Sequence, residues 1–277
     1  MPIVFALLST LSIALGEFLA NGVSSRARSH EVTSAMFLSG ACATGLVALV
    51  WRGDPTWNDI GVGLLAGVAN GVGILLLYRS YATASLRSAA PAAAVVMSSV
   101  PIGWDIAVNG SSLTALTGLG LALGVIAIAL TSYEGGVASR DRKGLNLAIL
   151  AGAVFGTLLV LLSYIGRDAG GTPLLVQRVV AFAVAAGVTR LTGPRIVPSN
   201  RRDRWTSLLI GLLATAAIVL FLLALRDGDL AVVSVLSSQY AGVAVVLGVI
   251  FHSHKMYWWQ WIGLAAASLA VALISVG

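Results

Sequence analysis

Charge is scarce in this sequence, and cysteine and histidine are scarcer still. Only 10% of the 277 residues are Asp, Glu, Lys or Arg, against about 25% in an ordinary soluble domain. That shortfall excludes a soluble protein. The single cysteine, Cys42, cannot close an intrachain disulfide and says nothing about redox compartment. There is no G-x-x-x-x-G-K-[ST] phosphate loop, so ATP does not drive the chain directly. There is no H-E-x-x-H and no Cys/His cluster. His252 and His254 stand two apart in a loop, where they read as interfacial residues rather than a metal site. No cofactor and no metal is expected. With eleven acids, mostly in loops, a buried catalytic constellation is hard to assemble.

What fills the chain is apolar: 58% of residues are hydrophobic and the mean hydropathy is +0.93. A hydrocarbon core of about 30 Å takes about 20 helical residues. Ten runs of that kind are present, at 2–22, 33–51, 58–80, 88–107, 113–133, 144–165, 172–191, 206–226, 229–251 and 257–276. Residues 1–22 lack a basic n-region and Glu17 interrupts their apolar run, so they read as a retained first helix. The pattern predicts an all-α integral membrane protein, multi-pass in the cytoplasmic membrane.

The net charge of +6 invites a nucleic-acid reading, which the placement of the charges rejects. Of 17 Lys and Arg, 13 fall in the alternate loops 1–2, 3–4, 5–6, 7–8 and 9–10, with the densest cluster at 199–205 (SNRRDRW); the other side holds Arg52, Arg167, Arg178 and Arg226. Such residues act as topology signals, and the positive-inside rule places both termini outside the cytoplasm.

An internal repeat is also visible. Ser98-Ser99 in helix four recur as Ser237-Ser238 in helix nine, and the glycine-rich link EGGVASRDRKG (134–144) marks the midpoint. Five spans per half is an odd number, so the halves, 1–138 and 139–277, enter the membrane in opposite senses. Ten helices as two inverted five-helix repeats, with a site at their interface, is the architecture of many secondary transporters.

Polar residues inside the runs mark that site. Glu17 and Asn21, four apart, share a face of helix one. A bare carboxylate in a span is a functional hypothesis by default, although Glu17 is near enough to the helix end to reach interfacial water. Asn70, in the Gly67/Gly71 turn of helix three, is either an interhelical hydrogen-bonding group or a cavity residue. Pro101 leaves the Met97 carbonyl without its helical donor, beside Ser98 and Ser99, which fits either a broken-helix site or a structural bend. Tyr164 in helix six is a weaker cavity candidate. Arg178 in helix seven is either an anchor at the membrane edge or a contact for an anionic substrate group. Ser237, Ser238, Gln239 and Tyr240 form a polar island in the middle of the apolar run 229–251, and polar groups at that depth face protein or a water-filled cavity. Glycine pairs 120/124 and 152/156 read as close-packing patterns.

The stretch from Ala224 onward resembles a known family. Ala224, Leu225, Gly228, Leu230, Val232, Val233, Ser234, Leu236, Ser237, Ser238 and Tyr240 match, in order, the segment A-L-x-x-G-x-L-x-V-V-S-x-L-S-S-L-Y-P of EamA-type members of the drug/metabolite transporter superfamily. Gln239, Ala241 and His254-Lys255 depart from it, standing where an apolar residue, proline and Glu-Arg are usual. Tyr78-Arg79 with Pro91 is similar to the family's Y-R-A-L…A-P segment. The resemblance implies alternating-access transport of a small organic metabolite, in many members export or exchange of amino acids or related compounds. It also implies cytoplasmic termini, against the charge count. The partners expected are thus a small-molecule substrate and membrane lipid. Glu17 is the candidate for proton coupling, because apolar surroundings favour a neutral carboxyl. Readings from other classes are an enzyme acting on a lipid-linked substrate, which needs paired acids or a nucleophile–base pair where only Glu17 and Asp105 stand at depth, and a non-transporting scaffold.

Overall fold

The computed structural model describes residues 2–84, 86–109, 114–132, 138–166, 168–193, 195–227, 240–252 and 257–276. These form helices α1 (Pro2–Ser24), α2 (Ser29–Val50), α3 (Trp57–Thr83), α4 (Leu86–Asn109), α5 (Ala115–Ser132), α6 (Ala138–Ser163), α7 (Thr172–Thr192), α8 (Arg201–Asp227), α9 (Tyr240–His252) and α10 (Trp258–Val276), with no strand among the described residues. Seven helices, α1–α4 and α6–α8, are long and apolar enough to cross a membrane; within α5, α9 and α10 the apolar stretches are shorter. The expected run 229–251 is described only from Tyr240 onward.

The bundle is apolar on its outside and carries its polar groups inside, the reverse of a soluble protein. Leu46, Leu49, Val125 and Ile250 are each more than 60% exposed, whereas Ser9, Glu17, Asn70, Gln177, Arg178 and Thr215 are buried. Only lipid makes that arrangement favourable. Several hydroxyls within the spans are satisfied locally, while Ser9 and Ser39 donate across to the carbonyls of Ala217 and Leu208 on α8. Thr10 donates to the carbonyl of Ala6, Thr44 to that of Gly40, and Thr157 to that of Ala153, each four residues back.

Small residues set the helix spacing, as expected where lipid supplies no hydrophobic drive between helices. On α3, Gly63, Gly67 and Gly71 lie against the α7 backbone and side chains at Pro173, Gln177, Val180 and Val184. Gly211 of α8 meets the backbone of Met36 and Gly40 on α2. Gly152 and Gly156 of α6 sit on the carbonyls of Ala93 and Met97 on α4, so the Met97 carbonyl freed by Pro101 faces a glycine rather than a bulky side chain.

The helix pairs follow a pattern. α1 packs along α8, and α6 along α3; α2 packs on α8, and α7 on α3; α4 packs on α6, and α9 on α1. Exchanging the first five labels for the last five turns each of these pairs into its companion. The pairs α2–α7 and α5–α10 map onto themselves.

The two ends of the bundle repeat the exchange. At one end, Arg26, just after α1, donates to Asp203 Oδ1 at 3.1 Å. At the other, Gly166, just after α6, donates its amide to Asp59 Oδ1 at 2.7 Å. Asp203 and Asp59 are each the third residue of their helix, α8 and α3. Because α2 runs from the first junction to the second, the two lie at opposite ends. The Asp59 end is further tied by Asp54 N to Asp168 O and Gly171 N to Trp51 O, both 2.9 Å. Gly170, at φ 62°, makes the turn that brings this loop against Gly53. Thr56 and Asp59 close a capping box on α3.

Candidate functional site

The polar centre of the bundle begins at Glu17. Its neighbours on α1 are small or apolar, so the carboxyl turns into the helix packing and is only 9% exposed. Tyr81 on α3 donates its hydroxyl to Glu17 Oε2 at 2.6 Å, a short, charge-assisted geometry when the carboxyl is ionised. Tyr81 stacks on Tyr78 one turn earlier, with ring centroids 6.0 Å apart, and the Tyr78 hydroxyl points to the sulfur of Met36 on α2 at 3.3 Å. Both tyrosines are almost wholly buried. Tyr240, at the start of α9, packs against the same buried cluster as Tyr78 and Tyr81. Helices α1, α2, α3 and α9 therefore converge on one aromatic-walled carboxyl.

Arg178 reaches the same centre from α7. It is 7% exposed, and its side chain runs past Gly40 of α2. The guanidinium lies 5.9 Å from the Phe37 ring centroid, a cation–π distance, and Nη2 donates to the Ala214 carbonyl of α8 at 3.5 Å. No carboxylate lies within ion-pair distance of it among the described residues. Tyr78 stands within electrostatic range of both Glu17 and Arg178. A buried guanidinium satisfied by one long carbonyl contact and an aromatic face retains donors for an anionic or carbonyl group.

The other sequence candidates distribute unevenly. Asn70 is buried on α3 beside the α7 contact, and Asn21 is half-buried one turn after Glu17. Ser99 is half-buried and donates to the Val95 carbonyl at 2.8 Å, a local bond within α4. Ser98 also lies on α4, with its side chain outside what is described. Tyr164, just past the end of α6, is 51% exposed and accepts from Trp104 Nε1 at 3.3 Å, an aromatic pair at the rim. Ser237, Ser238 and Gln239 lie outside the described residues.

Two groups at the centre escape the sequence reading. Tyr81 looks like a packing aromatic until it meets a residue 64 positions away. Gln177 is 2% exposed, and its Oε1 has no partner among the described residues. Among those residues there is also no cluster of three His, Cys, Asp or Glu able to hold a metal ion.

Fold and centre together define a multi-pass helical membrane protein with buried charge of both signs. Residues 142–276 match the EamA-like transporter family, part of the drug/metabolite transporter superfamily. No curated protein matches the chain significantly. One solved crystal structure, 15% identical, superposes with a TM-score of 0.66 over 97% of this chain and 95% of its own, which shows a shared fold.

Proposed function

We propose that this protein is a secondary transporter that moves a small organic metabolite across the cytoplasmic membrane by alternating access, in the direction of export, with Glu17 carrying the coupled proton. The observation that carries the reading is the Glu17–Tyr81 contact deep in a bundle whose exterior is lipid-facing. An ionisable group there is costly unless function retains it. Arg178 stands ready for an anionic substrate group and Glu17 for a proton or a cationic group, with the Tyr78/Tyr81 wall between them.

The architecture proposed is ten spans in two inverted repeats, 1–138 and 139–277. It is supported by helix pairs that exchange between the halves and by the Asp59 and Asp203 junctions at opposite ends. Inverted repeats place a substrate site where the halves meet and allow it to open to either side by rocking one half on the other. The glycine-lined contacts of α3 on α7 and α2 on α8 supply close but flat surfaces for that motion.

The test is transport itself. Thermal-shift screening of the purified chain against a metabolite collection identifies ligands, and proteoliposomes then measure their flux. Saturable, ligand-specific flux across a sealed bilayer is expected. Chemical conversion of the ligand, or stable binding with no flux, overturns the transporter reading.

A further inference from the structure

The end of the bundle at the Arg26–Asp203 junction carries a second, separate feature: a pocket of about 450 Å³ formed where the loop after α1 meets the loop before α8. Its charged lining is Arg26, Arg28, Glu31, Arg195 and Asp203. Arg26 is engaged by Asp203 at 3.1 Å. Glu31 also lines the pocket and is 8% exposed. That leaves Arg28 and Arg195, both exposed and without a carboxylate in ion-pair distance among the described residues. Arg28 is not a free surface chain: its Nη1 lies close against Gly193, at the end of α7, where a Cβ would collide with it.

The helices whose ends adjoin the pocket carry exposed apolar side chains close by in sequence. Leu191 near the end of α7 is 89% exposed and Trp205 in the first turns of α8 is 61% exposed. A tryptophan and a bare leucine beside an arginine pair mark the boundary between headgroups and acyl chains. The site thus offers two guanidinium groups at one end of the bundle, with exposed apolar side chains on the two helices, α7 and α8, whose ends adjoin it. Guanidinium groups match phosphate oxygens in both charge and geometry, and basic pockets between transmembrane helices hold anionic headgroups.

We propose that this pocket binds the phosphodiester headgroup of an anionic phospholipid, through Arg28 and Arg195, with the acyl chains lying along Leu191 and Trp205. The lipid would staple the loop after α1 to the loop before α8, reinforcing the junction that the Arg26–Asp203 pair makes alone. The proposal requires only that the chain spans a membrane, and it stands apart from the Glu17 centre.

Native mass spectrometry of the full-length protein in detergent, titrated with phosphatidylglycerol or phosphatidylcholine, tests it. Retention of phosphatidylglycerol over phosphatidylcholine is expected. Arg28→Gln with Arg195→Gln should weaken that retention roughly thirtyfold, at about fivefold per arginine near the surface. Arg142→Gln with Lys143→Gln, which removes the same charge from α6, should leave retention unchanged, and Arg28→Lys with Arg195→Lys should keep most of it. Equal losses in the two Gln pairs would reduce the effect to diffuse surface charge and overturn the proposal. Displacement of the lipid by equimolar inorganic phosphate would assign the pocket to a soluble phosphate and overturn it as well. The wild-type protein gives an independent readout: phosphatidylglycerol should raise its thermal midpoint more than phosphatidylcholine does, and equal shifts count against the site whether or not the variants fold.

Discussion

Two hydroxyls one turn apart on α3 have different work to do. Tyr81 donates to the Glu17 carboxyl, whereas Tyr78 donates to a thioether, a weak acceptor. Tyr81→Phe keeps the ring stack and removes the donor, so it should slow Glu17-dependent flux by roughly tenfold or more, the scale of a hydrogen bond to a charged group. Tyr78→Phe should have a much smaller effect. Equal effects in proteoliposome assays would mean that the tyrosines act only as packing. Arg178→Lys is expected to fail as a replacement, because an ammonium reproduces neither the planar contact with Phe37 nor the several fixed donors of a guanidinium; substrate affinity is the measurement, and wild-type affinity in the Lys variant would remove Arg178 from the site. The placement of Glu17 in a span is legible in sequence, but its burial is not, because a carboxyl near a helix end can also reach interfacial water. The burial of Arg178 is not legible either, because an arginine near a helix end also reads as an interfacial anchor. Nothing local links Tyr81 to Glu17: their meeting depends on how α3 lies across α1.

At the scale of helices, close packing rests on particular glycines. A Cβ on Gly67 would stand 2.6 Å from Val180 Cβ and 2.7 Å from the Gln177 carbonyl, whereas one on Gly61 would meet nothing within 4 Å. Gly67→Ala should therefore cost about 1–3 kcal/mol through overpacking. Gly61→Ala should be neutral or stabilise by up to about 1 kcal/mol through helix propensity. Thermal unfolding in detergent compares them, and equal midpoints would show that α3 and α7 are not held at this distance. The apolar runs announce most of these helices because a bilayer demands continuous hydrophobic length. Their ends are less legible: α3 reaches Thr83 rather than residue 80, and the Thr56/Asp59 capping box that starts it depends on two polar residues outside any hydrophobic pattern. The pairing of α3 with α7 leaves only a faint trace, a Gly67/Gly71 spacing that says a helix comes close without saying which.

For the whole molecule, the paired junctions make a structural prediction and the charges a topological one. Asp59 and Asp203 should stand on opposite sides of the membrane, and by the positive-inside rule a reporter fused after Gly277 should face away from the cytoplasm. A cytoplasmic reporter would show that the arginine-rich loops do not govern insertion. The odd number of expected spans per half is readable in the sequence, but the exchange of helix partners is not, because it involves contacts between residues tens to hundreds of positions apart. The account as a whole turns on whether the buried carboxyl couples protons to substrate. The most direct measurement compares wild type with Glu17→Gln in proteoliposomes, scoring both substrate accumulation driven by a pH gradient and substrate exchange without one. Loss of gradient-driven accumulation with exchange preserved is the predicted result; wild-type accumulation with unchanged pH dependence in the Gln variant would contradict it.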